Sequence, residues 1–600
     1  MFNLAKMVVL AVFFSSLLSS GVLSTEHDVS PEEIIDHIKY LSSDELNGRE
    51  AGSAGAEKAA RYISDEFKKL NLKPYGDKGS YYQEFTFKSG SEFGEDNLFQ
   101  IISAQDQIEL ELESEYLPLD YSNNAIGNGS MVFVGYGISA PELDHDDYKD
   151  VDVQGKYVLA MRYTPDWNDK GNKFNNYAPF RKKIRMAKEK GAKGIIFFTP
   201  PGFDEEIDFK KLQMGRGIKN RGVQVFIVRR NIAMKLLNVS LEKLEQLKND
   251  PESYEVPNVK LNLRTDLKPI KKTTSNVAGI IEGSDPVLKN EIIVIGAHYD
   301  HIGSDFAYSR SDSNNESDQI HNGADDNASG VAGLLELAEY FSDKRESLKR
   351  SILFIAFSGE ELGLLGSNYF VEHSKNTNEK IVAMINMDMI GRMSNNKLII
   401  LGADTSPQWK EIIDRSNSNT DLKVKLNETA FAPSDQLAFY LKDIPVLQFF
   451  TGLHEDYHTT NDHWEYINQD GQVEILKLVS NIVLELDCRD KRIAFNKLDD
   501  SQRTIRGFKV YLGTIPDYTS EENGVSLVGV RNGSPADAAG MISRDIIISF
   551  DGKEINDIYD YVDALNEVDA GKTTKITVLR ESKKINLDII PEMRNKQNSQ

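Results

Sequence analysis

Cysteine is almost missing from this chain of 600 residues: Cys488 stands alone. One thiol closes no internal disulfide and excludes an iron–sulfur centre. Positive charge is also short. Seventy Lys and Arg face 93 Asp and Glu, a net charge of −23. Nucleic acid and anionic membrane surfaces demand basic patches, so neither is an expected partner. Beyond the first residues there is no run of about 20 apolar residues to span a membrane. Short-period repeats and long low-complexity tracts are absent too. What remains is ordinary globular composition, 40% hydrophobic and 27% charged, in a chain too long for one core.

The first 24 residues read differently. Lys6, an apolar stretch from Met7 to about Leu18 and small residues from Ser19 to Ser24 have the order of a secretory signal peptide. Cys488 lies too far away to be a lipid-anchored cysteine after that signal. An exported protein without disulfides points to a bacterium, in the periplasm, the cell envelope or the medium, with no stable membrane insertion once the signal is cleaved.

Residues 30–70 read as two amphipathic helices. Ser30 caps the first with Pro31 at its first position, and Ala59, Ile63, Phe67 and Leu70 form one stripe of the second. Residues 122–260 form a small α/β unit with its own strands and a basic helix around "FRKKIRMAKEKGAKG". It interrupts a larger α/β domain, whose first part is 25–121 and which resumes over 261–490. A polar, charged linker, 491–504, leads to a last β/α segment, 505–594. Between 276 and 480, apolar strands ("EIIVIGAHYD", "SILFIAFSG", "IVAMINMDMIG", "IPVLQFFTG") alternate with helices, the pattern of a mostly parallel sheet flanked by helices. Ligands of such sheets gather beyond the carboxyl ends of the strands.

Each of those ends carries metal-competent side chains: His298-Tyr299-Asp300-His301, Asp325-Asp326, Glu360-Glu361, Asp388, then His454, His458 and His463. Six of the ten histidines lie in these loops or beside them. Imidazole and carboxylate without thiolate suit zinc, with cobalt or manganese as substitutes. Two histidines and several carboxylates exceed the needs of one ion, whereas a bimetal site with a shared carboxylate uses them. That also explains two adjacent glutamates: at a turn, one can bind metal while its neighbour stays unligated as a general base. The alternative is a pair of acids favoured by a helix N-terminus.

The stretches "GAHYDH", "GADDNASG", "FSGEELGLLGS", "INMDMIGR" and "YHTTNDHWE", with "YLSSDELNGREAGSAGAEKAARYI" near the start, resemble the M28 zinc peptidases in order and spacing. The resemblance implies a zinc-exopeptidase-like α/β fold and two zinc ions per chain. His298 and Asp388 would hold one, Glu361 and His458 the other, and Asp326 would bridge both. Glu360 would be the general base and Asp300 would orient His298. Asp325 is expected to serve loop hydrogen bonding, and His454 and His463 a substrate pocket or the surface. His301 and His321 receive no role. Arg392 fits either a substrate carboxylate or a salt bridge. One departure is Ser434-Asp435-Gln436, where relatives often have Ser-Asp-His.

Residues 122–260 resemble a protease-associated domain, and 505–594 a bacterial PDZ domain. In the latter, Arg544-Asp545 replaces the usual Gly-Asp, and "DIYDYVDALNEV" would be the groove helix. The expected function is a zinc exopeptidase, an aminopeptidase acting on peptide N-termini, with a peptide C-terminus as a second partner at the PDZ groove. The alternatives are a carboxypeptidase, a glutaminyl cyclase, or a non-catalytic peptide-binding scaffold working through the PDZ.

Overall fold

The computed structural model describes residues 29–103, 106–165, 172–203, 220–304, 309, 319–427, 434–497, 510–516, 522–530 and 534–593. The signal-peptide reading falls outside these residues, as does the end of the 491–504 linker.

The centre is a nine-stranded sheet. Its strands are β1 (Tyr82–Phe93), β2 (Leu267–Ile281), β3 (Ile292–His298), β4 (Ser351–Phe357), β5 (Ile381–Met387), β6 (Lys397–Leu401), β7 (Lys423–Asn427) and β8 (Val446–Phe450), with a two-residue edge at Lys73–Pro74. The order runs from the edge through β2, β4, β3, β5, β8 and β6 to β7, and β1 pairs with β2. β3 lies parallel to β4 and β5, and β5 parallel to β8. β2 and β6 enter antiparallel. The sheet is therefore mixed, with the expected parallel strands at its centre and antiparallel pairings toward both edges. All seven residues of β3, β4 and β5 are buried. Such strands read as unbroken apolar runs because helices cover both faces. Pro31–Leu41, Ala54–Lys69, Gly330–Asp343 and Gln469–Cys488 are among those helices, and their apolar stripes join the largest core cluster. Ser30 caps the first, accepting from the Glu33 amide.

A second sheet, eight-stranded, has its own two-sided core. Its strands include Leu98–Ser103 and Tyr116–Pro118, which pair with strands of the unit inserted after them, and Gln107–Glu109, which pairs with Leu98–Ser103. That unit thus starts near residue 98 and not at 122, and ends with the strand Ser253–Thr265. Polar, alternating strands carry no mark of which sheet they join, so the sequence alone groups this early segment with the larger domain. Hydrogen bonding decides it.

The last segment is a small β/α domain with its own core and a helix, Ile558–Glu567, capped by Asp557. Arg544 takes a left-handed φ of 70°, the conformation that a glycine would supply at that turn. Asp545 beside it is buried, accepts from the Ile542 amide and pairs with Arg580.

This domain is docked on the inserted unit through charge. Asp557, Asp560 and Asp563 line one face of its helix. Arg221 of the insert, itself buried, binds Asp557 and Asp560. From the insert's basic helix, Phe180–Glu189, Arg181 and Lys182 meet Asp563, and Lys188 meets Glu554. Breaking a buried pair by removing one partner costs about 3–5 kcal/mol, because the other charge is left uncompensated. Arg221→Ala is therefore expected to loosen the docking. Hydrogen exchange should speed up in helices 180–189 and 558–567 and stay unchanged in β3–β5; equal protection in variant and parent would refute the charged seam.

Candidate metal centre

Four strand ends and one loop converge at the carboxyl edge of the central sheet. β3 delivers His298 directly. Gly323, at φ +59°, starts the loop that places Asp325 and Asp326; a Cβ there would lie 2.2 Å from the Asp326 carbonyl oxygen. β4 ends at Phe357, and Gly359 turns the chain at φ +75° to present Glu360 and Glu361. The next helix begins only at Leu365, so a helix N-terminus does not account for the paired acids. β5 ends just before Asp388, and the loop after β8 brings His458.

Two groups of ligand atoms result, one of His298, Asp326 and Asp388, the other of His301, Asp326, Glu361 and His458. Asp326 belongs to both and divides its oxygens between them. Its Oδ1 lies 3.4 Å from His298 Nε2, and its Oδ2 lies 3.1 Å from His458 Nε2. His298 Nε2 is 3.4 Å from Asp388 Oδ1, and His458 Nε2 is 3.2 Å from Glu361 Oε2. Two donors each about 2.0–2.1 Å from a tetrahedral zinc sit about 3.4 Å from one another. The donor types and their spacing therefore fit zinc.

His301 takes a place that the motifs left unassigned. Its Nδ1 lies 2.8 Å from Glu361 Oε1 and 3.7 Å from Asp326 Oδ2. Asp300 is fully buried; its backbone carbonyl, 3.1 Å away, meets His298 Nδ1, while its carboxylate is 3.9 Å from that nitrogen and accepts from the Glu360 amide.

The electrostatics are lopsided. Asp300, Asp326, Glu360, Glu361, Asp388 and Asp435 crowd around three imidazoles, His298, His301 and His458. Burial raises the carboxyl groups of Asp300 to about 6 and Asp435 to about 7. Burial also drives Glu360 well above the carboxylate range; His298 opposes the rise, and Glu361, Asp388 and Asp435 add to it. Burial pushes Glu361 the same way, but hydrogen bonds from His301 and His458 overcome it and hold Glu361 well below that range. Adjacent glutamates are thus driven in opposite directions, the usual mark of divided acid–base work.

Other residues hold the frame. Asp325 Oδ1 accepts from the Gly391 amide at 2.7 Å, and Oδ2 faces His454 Nε2 at 3.2 Å. Arg392 pairs with Asp456 at 2.5 Å, a structural bridge. His321 binds the Gly303 carbonyl and Ser309, and His463 precedes a short turn at Trp464–Tyr466. Gln436 is buried and bonds Asn386 and Gln448, beneath the site and out of contact with solvent. Sequence reasoning missed Asp462, whose Oδ2 accepts from the Asp325 and Asp326 amides at 2.9 and 3.1 Å. It also missed Arg49, a buried cation against the same loops. Both sit inside quoted motifs, "YHTTNDHWE" and "LNGREAG".

Residues 276–483 match the model of peptidase family M28, and residues 511–590 that of a PDZ domain. Residues 276–483 are thus an M28 peptidase domain, and a PDZ domain lies on its C-terminal side. A probable leucine aminopeptidase 2 from Aspergillus oryzae is 25% identical over 464 residues, which is 74% of this chain and 79% of that protein. Aminopeptidase YwaD from Bacillus subtilis is 28% identical over 231 residues, 37% of this chain and 46% of its own length. A probable zinc metalloprotease from Pyrenophora teres is 39% identical over 124 residues, 20% of this chain and 23% of that one. The chain thus spans less than half the length of the latter two relatives.

A cation that binds only the folded M28 domain must stabilise it. At one hundred times its dissociation constant, zinc is expected to add about 2.7 kcal/mol. Its thermal transition should rise by roughly 5–10 °C and fall back with EDTA. A transition unmoved by either reagent would contradict a metal centre here.

Proposed function

We propose that this chain is a secreted or envelope exopeptidase that uses two zinc ions to release N-terminal residues from peptides. The observation that carries the reading is Asp326, which offers one oxygen to each ligand group. His298 and Asp388 would complete one site, Glu361 and His458 the other. Hydrogen bonding from His301 would keep Glu361 ionised and aimed.

Bound zinc would polarise the scissile carbonyl and make an attacking water acidic enough to deprotonate near neutral pH. The rest falls to the protein. Glu360, left out of both ligand groups, would as a carboxylate take the proton of the attacking water and deliver it to the leaving amine. Asp300 fixes the loop between His298 and Glu360, through its backbone carbonyl on the imidazole and its carboxylate on the Glu360 amide. Asp462 fixes Asp326 by accepting its amide.

The amino-end preference is supported by the names of two of the relatives above, both aminopeptidases. The inserted unit fits a protease-associated domain in position and in its α/β make-up, and the PDZ domain fits capture of an extended peptide C-terminus as an added strand. The N-terminal signal pattern supports export, with the periplasm, envelope or medium of a bacterium as destination. Among the described residues no helix is long and apolar enough to cross a membrane.

Glu360→Gln should leave zinc stoichiometry at two per chain and lower hydrolysis of aminoacyl-nitroanilides by about 10²–10⁴-fold. N-acetylation of a peptide should abolish its cleavage. Full activity in the variant would remove Glu360 from its role. Release of residues from the carboxyl end, or cyclisation of N-terminal glutamine without peptide cleavage, would replace the aminopeptidase reading.

A further inference from the structure

Arg49 lies in the turn between the two N-terminal helices, 1% exposed and outside both groups of ligand atoms. Its donors are spent on backbone carbonyls instead. Nε donates to the Tyr299 carbonyl at 2.9 Å, between His298 and Asp300. Nη2 donates to Gly323 at 2.9 Å and Nη1 to Asn322 at 2.7 Å, three and four residues before Asp326. Nη1 also reaches Leu41, at the end of the first helix. The main chain of the same turn completes the clasp: the His301 amide donates to the Arg49 carbonyl at 3.2 Å, and the Gly303 amide to Gly48 at 3.0 Å.

We infer that Arg49 is a positioning residue of the metal centre: one planar guanidinium sets the spacing between the loop that carries His298 and the loop that carries Asp326. This rests on the two-zinc reading above and extends it to a residue outside the ligand set. Carbonyls have no geometry of their own to hold two loops apart. A rigid fork with donors along two edges does, and a lysine ammonium, a single point on a flexible stem, does not. The charge matters as well. Burial lowers the guanidinium to about 10, and Asp326, Asp300, Asp462 and Glu361 act against that fall, so it remains a cation at neutral pH. Arg49 therefore lends positive charge to the carboxylate cluster without occupying a ligand position. Residues that orient metal ligands from outside typically change metal affinity about 10–100-fold when replaced.

The test compares three full-length chains with the parent: Arg49→Lys, which keeps the charge and loses the fork; Arg49→Gln, which loses both; and Leu46→Ala, which opens the buried packing of the same turn and leaves every carbonyl contact in place. Zinc affinity is measured at equilibrium against a chromogenic chelator, and folding by the melting temperature in EDTA. Arg49→Lys is expected to bind zinc at least 10-fold more weakly than the parent, and Arg49→Gln more weakly still. Leu46→Ala should lower the melting temperature in EDTA and keep parental zinc affinity. Unchanged affinity in Arg49→Lys, or an equal loss of affinity in Leu46→Ala, would overturn the inference, the latter because general loosening of the turn would then explain everything. A parent chain that took up no zinc would overturn the proposed function, and this inference with it.

Discussion

Negative charge buried at one edge of the central sheet is the constraint on which the rest of the structure depends. Ionised carboxylates are costly to take out of water unless something positive meets them. Here Asp300, Asp326 and Asp435 are buried near Glu360, Glu361 and Asp388. Imidazoles offset part of the excess, and Arg49 another part. Burial disfavours a charged His298, yet Glu360, Asp388 and Asp326 together pull its pKa well above the usual value. Divalent cations would compensate this cluster and reverse the local pKa logic, returning the ligands to their ionised or neutral metal-binding forms.

The fold serves that cluster by rigidity. Three neighbouring strands, all buried, end together and leave their last residues at fixed separations. The glycine at 359 then turns one pair of acids inward, and the loop after Gly323 offers both oxygens of one aspartate to opposite sides. Asp462 and Arg49 sit behind these loops and hold backbone groups, so the ligands need not spend their own lone pairs on staying in place. Far from the edge, the inserted unit and the PDZ domain are joined by a face of acids meeting a face of bases. Two modules that sequence would leave separately tethered are thereby seated against each other.

Much of this was legible beforehand. The strand ends were readable because fully buried parallel strands leave unbroken apolar runs, and because acids and histidines cluster after each of them. Both N-terminal helices could be placed, since Ser30-Pro31 and the Ala59–Ile63–Phe67 stripe are local signals. Partition between the sheets was not legible: Leu98–Pro118 alternates in a way that suits either one, and only long-range pairing assigns it. Nor was Arg49, because a basic residue in a polar turn looks solvated until distant carbonyls close around it. His301 was ambiguous for a related reason. It sits three residues from His298, and which of two ligand groups it faces is fixed by the path of the loop, not by the spacing. Gln436 gave no local sign of its place either: it lies in a buried amide network with Asn386 and Gln448.

Asp326 is where the whole account can be tested at a single point. Anomalous scattering from crystals grown with zinc, recorded on both sides of the zinc absorption edge, would locate the ions directly. Two peaks about 3.5–4 Å apart, with one oxygen of Asp326 bonded to each, are the expected result. One peak alone, or two that do not share Asp326, would contradict the shared-carboxylate centre and the hydrolytic role built on it.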